Sequence, residues 1–200
     1  GKLSRIISLE SLHTDKTITA DGHTITMTGY PTPVSGDKRI GDAWKNGLKY
    51  AQQLVVKNKG GKISVVDGTK LKVEDADEII VLMSAATNYV QCMDDSYNYF
   101  SQEDPLEKVQ ATLHKVADKK YTALLATHQK DYHSLYDRMR LNLGNLLEAP
   151  VAPTDSLLKG MDENTNSEQE NQYLEMLYFQ FGRYLLISSS REGSLPANLQ

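Results

Sequence analysis

"LEMLYFQFGRYLLISSSREGSLPANLQ", Leu174–Gln200, is the stretch on which the reading of this chain turns. Tyr173, Leu174, Met176, Leu177, Phe179, Phe181, Tyr184, Leu185 and Ile187 cover most of the circumference of a helix rather than one stripe of it. A helix that is apolar nearly all round belongs in an interior. Burying each large apolar side chain is worth roughly 1.5–3 kcal/mol. Leaving half of this helix in water therefore forfeits on the order of ten kcal/mol, comparable with the stability of a whole domain. Such a helix requires helical neighbours that the rest of the chain scarcely supplies. The text then runs through a small polar turn into Leu-Pro-Ala-Asn-Leu-Gln, where a natural terminus is more often frayed and charged. The expectation is a chain whose working part lies beyond it.

Working outward, 200 residues suffice for one good core or two small units packed together. An apolar content of 40% and a charged content of 24% describe an ordinary globular protein. A net charge of -4 and the lack of a Lys/Arg stripe argue against nucleic-acid binding; Asp118–Lys120 is a solvated patch. No apolar run reaches the roughly 18 residues that a membrane span needs. Cys92 is the only cysteine and reads as a small buried hydrophobe, without the spacing of a zinc site. Gly1 and the missing initiator Met leave export open.

The first half has β patterning. Ile7 and Leu9 in "ISLES" share one face of a short strand, and "KTITADGHTITMTG" predicts a hairpin with a type I′ turn at Asp21-Gly22. "LKYAQQLVV" puts Leu48, Tyr50, Leu54 and Val56 on one side, broken by Gln52. Lys59–Lys62, "KGGK", reads as a turn between strands, and "GGKISVVDGTKLKV" predicts a second hairpin at Asp67-Gly68. The unbroken run Ile79–Met83 fits a central strand buried on both faces. Strands at this spacing with Gly-containing turns predict an antiparallel sandwich.

The pattern changes at Asp104, an N-cap followed by Pro105 at the first helical position and Glu107 at capping-box spacing. Val109, Leu113 and Val116 then share a face. A second helix carries Tyr121, Leu124, Leu125, His128, Tyr132, Leu135 and Tyr136 on one stripe, stopping by Gly144. Residues 145–170, with "EAPVAPT" and "GMDENTNSEQEN", read as a linker, and the last helix begins inside it. The fold class expected is α+β.

Candidate chemistry is sparse. His128, Asp131 and His133 invite a metal, but histidines five apart are not the pair that a helical zinc site uses. His128 instead reads as tucked into the stripe, with Asp131 accepting local hydrogen bonds. Ser188, Ser189 and Ser190 lack a nucleophile elbow and read as capping hydroxyls. Asp94-Asp95 and Glu103-Asp104 are paired acids of the kind glycosidases use, yet adjacent acids in polar loops are usually solvated. Trp44 and the aromatic stretch Ser96–Phe100 read either as sugar-stacking platforms or as plugs at the end of the sandwich. These residues assemble no catalytic site and imply no metal or cofactor.

The closing stretch nevertheless resembles the start of the catalytic domain in glycoside hydrolase family 95, the α-L-fucosidases. The order of Gly182, Arg183, Tyr184, Ser189, Ser190, Arg191, Gly193, Leu195, Pro196, Asn198 and Gln200 carries the resemblance. "HQKDYHSLYDRMRLNLG" is similar to a second family segment through His128, Asp131, Tyr132, Leu135, Tyr136, Arg138, Leu141, Leu143 and Gly144. "APTDSLLKGMD" resembles the family linker, and "VEDADEIIVLMSAATNY" the last strand of its N-terminal domain. Glu192 departs from the family, which often has Pro there.

The resemblance implies an N-terminal β-supersandwich, a helical linker, an (α/α)6 catalytic barrel and a C-terminal β unit. On that plan residues 1–103 are part of the β domain, 104–152 the linker, and 153–200 the first barrel helix and its approach. It implies inverting hydrolysis of terminal α-1,2-linked L-fucose, with L-galactose accepted by some members, by a glutamic acid and by asparagines with an aspartate. None of these has a counterpart here, so the piece alone is expected to be inert and no catalytic position is assigned. Arg191, Asn198 and Gln200 are expected as residues near the pocket, shaping the backbone rather than reacting. The implied partner is a fucosylated glycan, the implied compartment the periplasm or cell surface, and the apolar helix is expected to drive association. The competing expectation is a carbohydrate-binding or scaffolding β module without chemistry.

Overall fold

The computed structural model describes residues 1–32, 47–90, 99–143 and 152–193. The described residues divide into two compact units, 1–119 and 120–200.

The first unit holds seven strands: β1 (Leu3–Ile7), β2 (Lys16–Asp21), β3 (Thr24–Gly29), β4 (Tyr50–Lys59), β5 (Lys62–Val66), β6 (Lys70–Ala76) and β7 (Glu78–Thr87), followed by helix α1 (Pro105–Ala117). They form a three-stranded sheet in the order β1-β6-β5 and a four-stranded sheet in the order β2-β3-β4-β7. Every pairing is antiparallel, as the hairpin patterning predicts. Strand alternation explains why the unit has three layers. Leu54 and Val56 on β4 join Ile25 on β3 and face Leu71, Val73 and Ala76 of β6, with Ile7 and Leu9 packed beside them. Ala51 points the other way and packs with Val109 and Leu113 of α1. β4 is thus the strand covered on both sides.

β7 is not the central strand that its apolar run suggests. Among the described residues it pairs only with β4 and lies at one end of the sheet order. Leu82 and Ala86 meet α1, whereas Val81 and Met83 on the other face are 45% and 63% exposed. The hairpin between β2 and β3 also differs from expectation. Asp21 pairs with Thr24, so Gly22 and His23 make the turn, and only Gly22 takes positive φ, at 54°. That is the demand of a type II′ turn, with glycine first, rather than of type I′. The second hairpin turns at Asp67 and Gly68, both at positive φ. Gly60 and Gly61 carry the chain from one sheet to the other, and a Cβ on Gly61 would overlap the Glu74 carbonyl oxygen.

Asp104 caps α1 by accepting from the Leu106 amide at 2.9 Å. The buried Asn88 ties the strand exit together: its Oδ1 accepts from Lys49 N at 2.7 Å and its Nδ2 donates to the carbonyls of Gly47 and Ser101.

The second unit is helical: α2 (Tyr121–Tyr136), α3 (Thr154–Asp162) and α4 (Glu168–Ser189). α3 lies within the stretch read as linker. Prolines and Asn/Glu residues around it obscure the helical pair Leu157 and Gly160, both buried. α2 ends at Tyr136, before Gly144, which lies outside the described residues. A tight turn joins α3 to α4: Asn164 takes φ 55°, and Asn166 Nδ2 bonds the Leu157 carbonyl at 2.8 Å and Asn171 Oδ1 at 3.0 Å.

Candidate functional site

Of the residues marked in the sequence, Arg191, Asp131 and His128 lie where the end of α4 meets α2. α4 starts from a capping box, with the Ser167 hydroxyl accepting from the Glu170 amide and Glu170 Oε2 accepting from Ser167 N at 2.7 Å. The backbone N–H of Ser167, and next its hydroxyl, hold the Glu170 carboxyl below the ordinary glutamate range. At the far end Arg183 bridges two acceptors, Gln180 Oε1 at 2.9 Å and the Tyr136 carbonyl at 2.6 Å. Its guanidinium carbon lies 4.6 Å from the centre of the Tyr136 ring. Tyr132 stacks on Tyr136 at 5.3 Å and meets Tyr184 of α4 at 6.3 Å.

Arg191 reaches back to α2 as well, its Nη2 lying 2.6 Å from Asp131 Oδ2. Asp131 therefore does not accept only local hydrogen bonds; its partner is 60 positions away. Helical spacing puts Asp131 one turn from His128, but nothing in the spacing shows that a later arginine folds back onto it. His128 is not tucked away either: it stays exposed and stacks on Tyr132 at 6.3 Å. Asn198 and Gln200, expected beside Arg191, lie outside the described residues, as do Trp44, Cys92 and Asp94-Asp95.

The remaining candidates resolve into structural roles. His133 Nδ1 pairs with Asp137 Oδ2 at 3.1 Å, one turn away. Among the described residues no group of three or more His, Cys, Asp or Glu side chains is placed to hold a metal ion. Ser189 and Ser190 lie with their hydroxyls 3.5 Å apart, and the Ser190 amide caps the Leu186 carbonyl. Glu103 pairs with Lys108 at 2.8 Å, and that hydrogen bond, then the ammonium charge, lowers its proton affinity. Glu74 is lowered chiefly by its hydrogen bond from Lys72, and Asp77 by that from Lys2. A general acid at neutral pH needs the opposite shift.

Two cavities have apolar walls. A groove of about 670 Å³ runs between α3 and α4, lined by Leu158, Met161, Leu174, Leu177, Tyr178 and Phe181 among others. In the β unit, Leu48, Thr87, Tyr89, Tyr99 and Phe100 surround about 490 Å³, with the Tyr89 and Tyr99 rings stacked at 6.0 Å.

A two-sheet β unit is followed along the chain by a helical unit with uncovered apolar faces, and each matches a domain of the glycosyl hydrolases. Residues 2–92 match the N-terminal domain of glycosyl hydrolase family 65, and residues 120–200 match the glycosyl hydrolase family 95 catalytic domain. The chain is 32% identical over 189 residues to "Probable alpha-fucosidase A" of Aspergillus niger, covering 92% of this chain and 22% of that protein. It is 35% identical over 158 residues to "Alpha-L-fucosidase 2" of Arabidopsis thaliana, covering 77% of this chain and 18% of that protein. The chain belongs to glycosyl hydrolase family 95. It spans about a fifth of the length of these relatives, 22% and 18%.

Proposed function

We propose that this chain is part of an inverting α-L-fucosidase that removes terminal α-1,2-linked L-fucose from glycans, and that alone it is inert. On this reading residues 1–103 belong to the β domain, 104–152 to a helical linker and 153–200 to the start of an (α/α)6 barrel. Its partner is a fucosylated glycan outside the cytoplasm, with no role for nucleic acid. Among the described residues no helix is long and apolar enough to cross a membrane.

The observation that carries this reading is the coincidence of the fucosidase relatives with an uncovered α4, in which Tyr178 is 81% and Leu186 58% exposed. A helix this apolar and this bare is the first piece of a larger helical packing. The test is release of aryl alcohol from an aryl α-L-fucoside. Turnover by this chain would contradict its inertness; a longer form of the protein that releases no L-fucose from an oligosaccharide with terminal α-1,2-linked L-fucose would contradict the substrate.

One observation favours a second reading, a carbohydrate-binding β module: the parallel Tyr89 and Tyr99 rings beside their cavity offer a stacking surface. Saturable glycan binding that disappears in Tyr99→Ala and Trp44→Ala would favour it over the enzyme reading.

A further inference from the structure

We infer that Arg183 and Arg191 are positioning residues, a two-point clamp on α2 that fixes where α4 ends, and that Arg191 acts through Asp131 rather than on substrate. A helix leaves its last carbonyls without intrahelical partners. The Tyr136 carbonyl, at the last residue of α2, takes its hydrogen bond from Arg183 Nη2 at 2.6 Å, while Nη1 holds Gln180 on α4 itself. The same guanidinium lies over the Tyr136 ring at 4.6 Å. One planar fork thus caps one helix, braces the other and covers an aromatic ring, a combination that an ammonium cannot reproduce. Its side chain is half-buried, so these bonds are partly shielded from water.

Arg191 supplies the second point. It stands two positions beyond the last residue of α4, and its ion pair with Asp131 reaches α2 five positions before Tyr136. The two anchors are eight positions apart on the α4 side and five apart on the α2 side, so together they oppose rotation as well as separation. Gly193, at φ 78°, comes two positions later, so the clamp fixes the base from which the chain turns. The meaning of this for substrate rests on the fucosidase reading; the clamp itself does not.

Hydrogen exchange on the intact chain tests it without turnover, so its failure is separable from failure of the fucosidase reading. Arg191→Ala is expected to speed exchange of amides 187–193 about two- to five-fold, as an exposed ion pair allows, and Arg191→Lys to return it close to the wild-type rate. The double exchange Asp131→Arg with Arg191→Asp is expected to restore protection as well. Arg183→Ala is expected to speed exchange at the ends of both helices about tenfold or more, and Arg183→Lys to recover little of it. Equal rates in Arg191→Lys and Arg191→Ala, or a charge reversal that restores nothing, would overturn the ion-pair anchor. Wild-type rates in Arg183→Lys would overturn the fork. Should Arg183→Ala unfold the helical unit outright, Arg183→Lys still decides the fork and the Arg191 variants the ion pair.

Discussion

Gly182 shows at the scale of one residue what the described chain does not explain about itself. It sits in the interior of a 22-residue helix, where glycine costs roughly 0.5–1 kcal/mol relative to alanine. A Cβ built there meets nothing within 4 Å. Gly182→Ala is therefore expected to stabilise this chain by about 0.5–1 kcal/mol, read as a higher midpoint in denaturant. Unchanged or lower stability would mean that something already packs there. Gly61 is the opposite case, since its φ of 66° and the Glu74 carbonyl both oppose a side chain. Glu170 adds a pH dependence. Because its carboxyl is depressed in the folded state, its contribution is present above the unfolded glutamate value, about 4.3. It is lost as pH falls through the lower folded value. Helicity of α4 is expected to fall across that acid window, and Ser167→Ala, which removes the hydroxyl and costs about 1 kcal/mol of capping, to reduce the dependence only in part, because the backbone N–H of residue 167 remains.

At the scale of the element, α4 is the helix whose sequence and surroundings disagree most. Of its residues only Leu174 is fully buried, while Tyr178, Phe181, Tyr184, Leu185 and Leu186 are all about half exposed or more. Apolar surface of that extent associates. At micromolar concentrations the chain is expected to sediment as more than a monomer, and Tyr178→Glu with Phe181→Glu to return it to one mass. A wild-type chain that remains monomeric would refute the idea. The same helix was legible in the sequence because its apolar residues follow no stripe, and β2 through β6 were legible because alternation and glycine mark them. β7 misled because a continuous apolar run reports hydrophobicity, not which neighbours arrive: Val81 and Met83 have the composition of a core strand and the exposure of an edge. α3 was hidden because nine residues framed by prolines and asparagines leave too few turns for a period to show. At the candidate site, Arg183 and Arg191 carried no sign of their partners, since Tyr136 and Asp131 lie 47 and 60 positions away.

The whole molecule is two units with very different cores. Among the described residues, Ile25, Leu54, Val56, Leu71, Val73 and Ala76 make one cluster of the β unit, and Ala51, Val109 and Leu113 make a second. The helical unit buries Leu157 and Leu174 among its large apolar side chains. At roughly 1.5–3 kcal/mol each, two leucines give about 3–6 kcal/mol. On its described residues the helical unit is accordingly expected to be the less stable of the two. Under limiting protease, cleavage is expected first within residues 120–200, leaving a resistant product that ends near Lys119, the boundary between the units. Thermal unfolding followed by far-UV dichroism is expected to lose helix before strand, in two steps rather than one. A longer form of the protein that covers α4 should raise the first step towards the second. Cleavage that begins inside residues 1–90, or a single transition in which helix and strand melt together, would show that the helical unit already has the support that its exposed face denies.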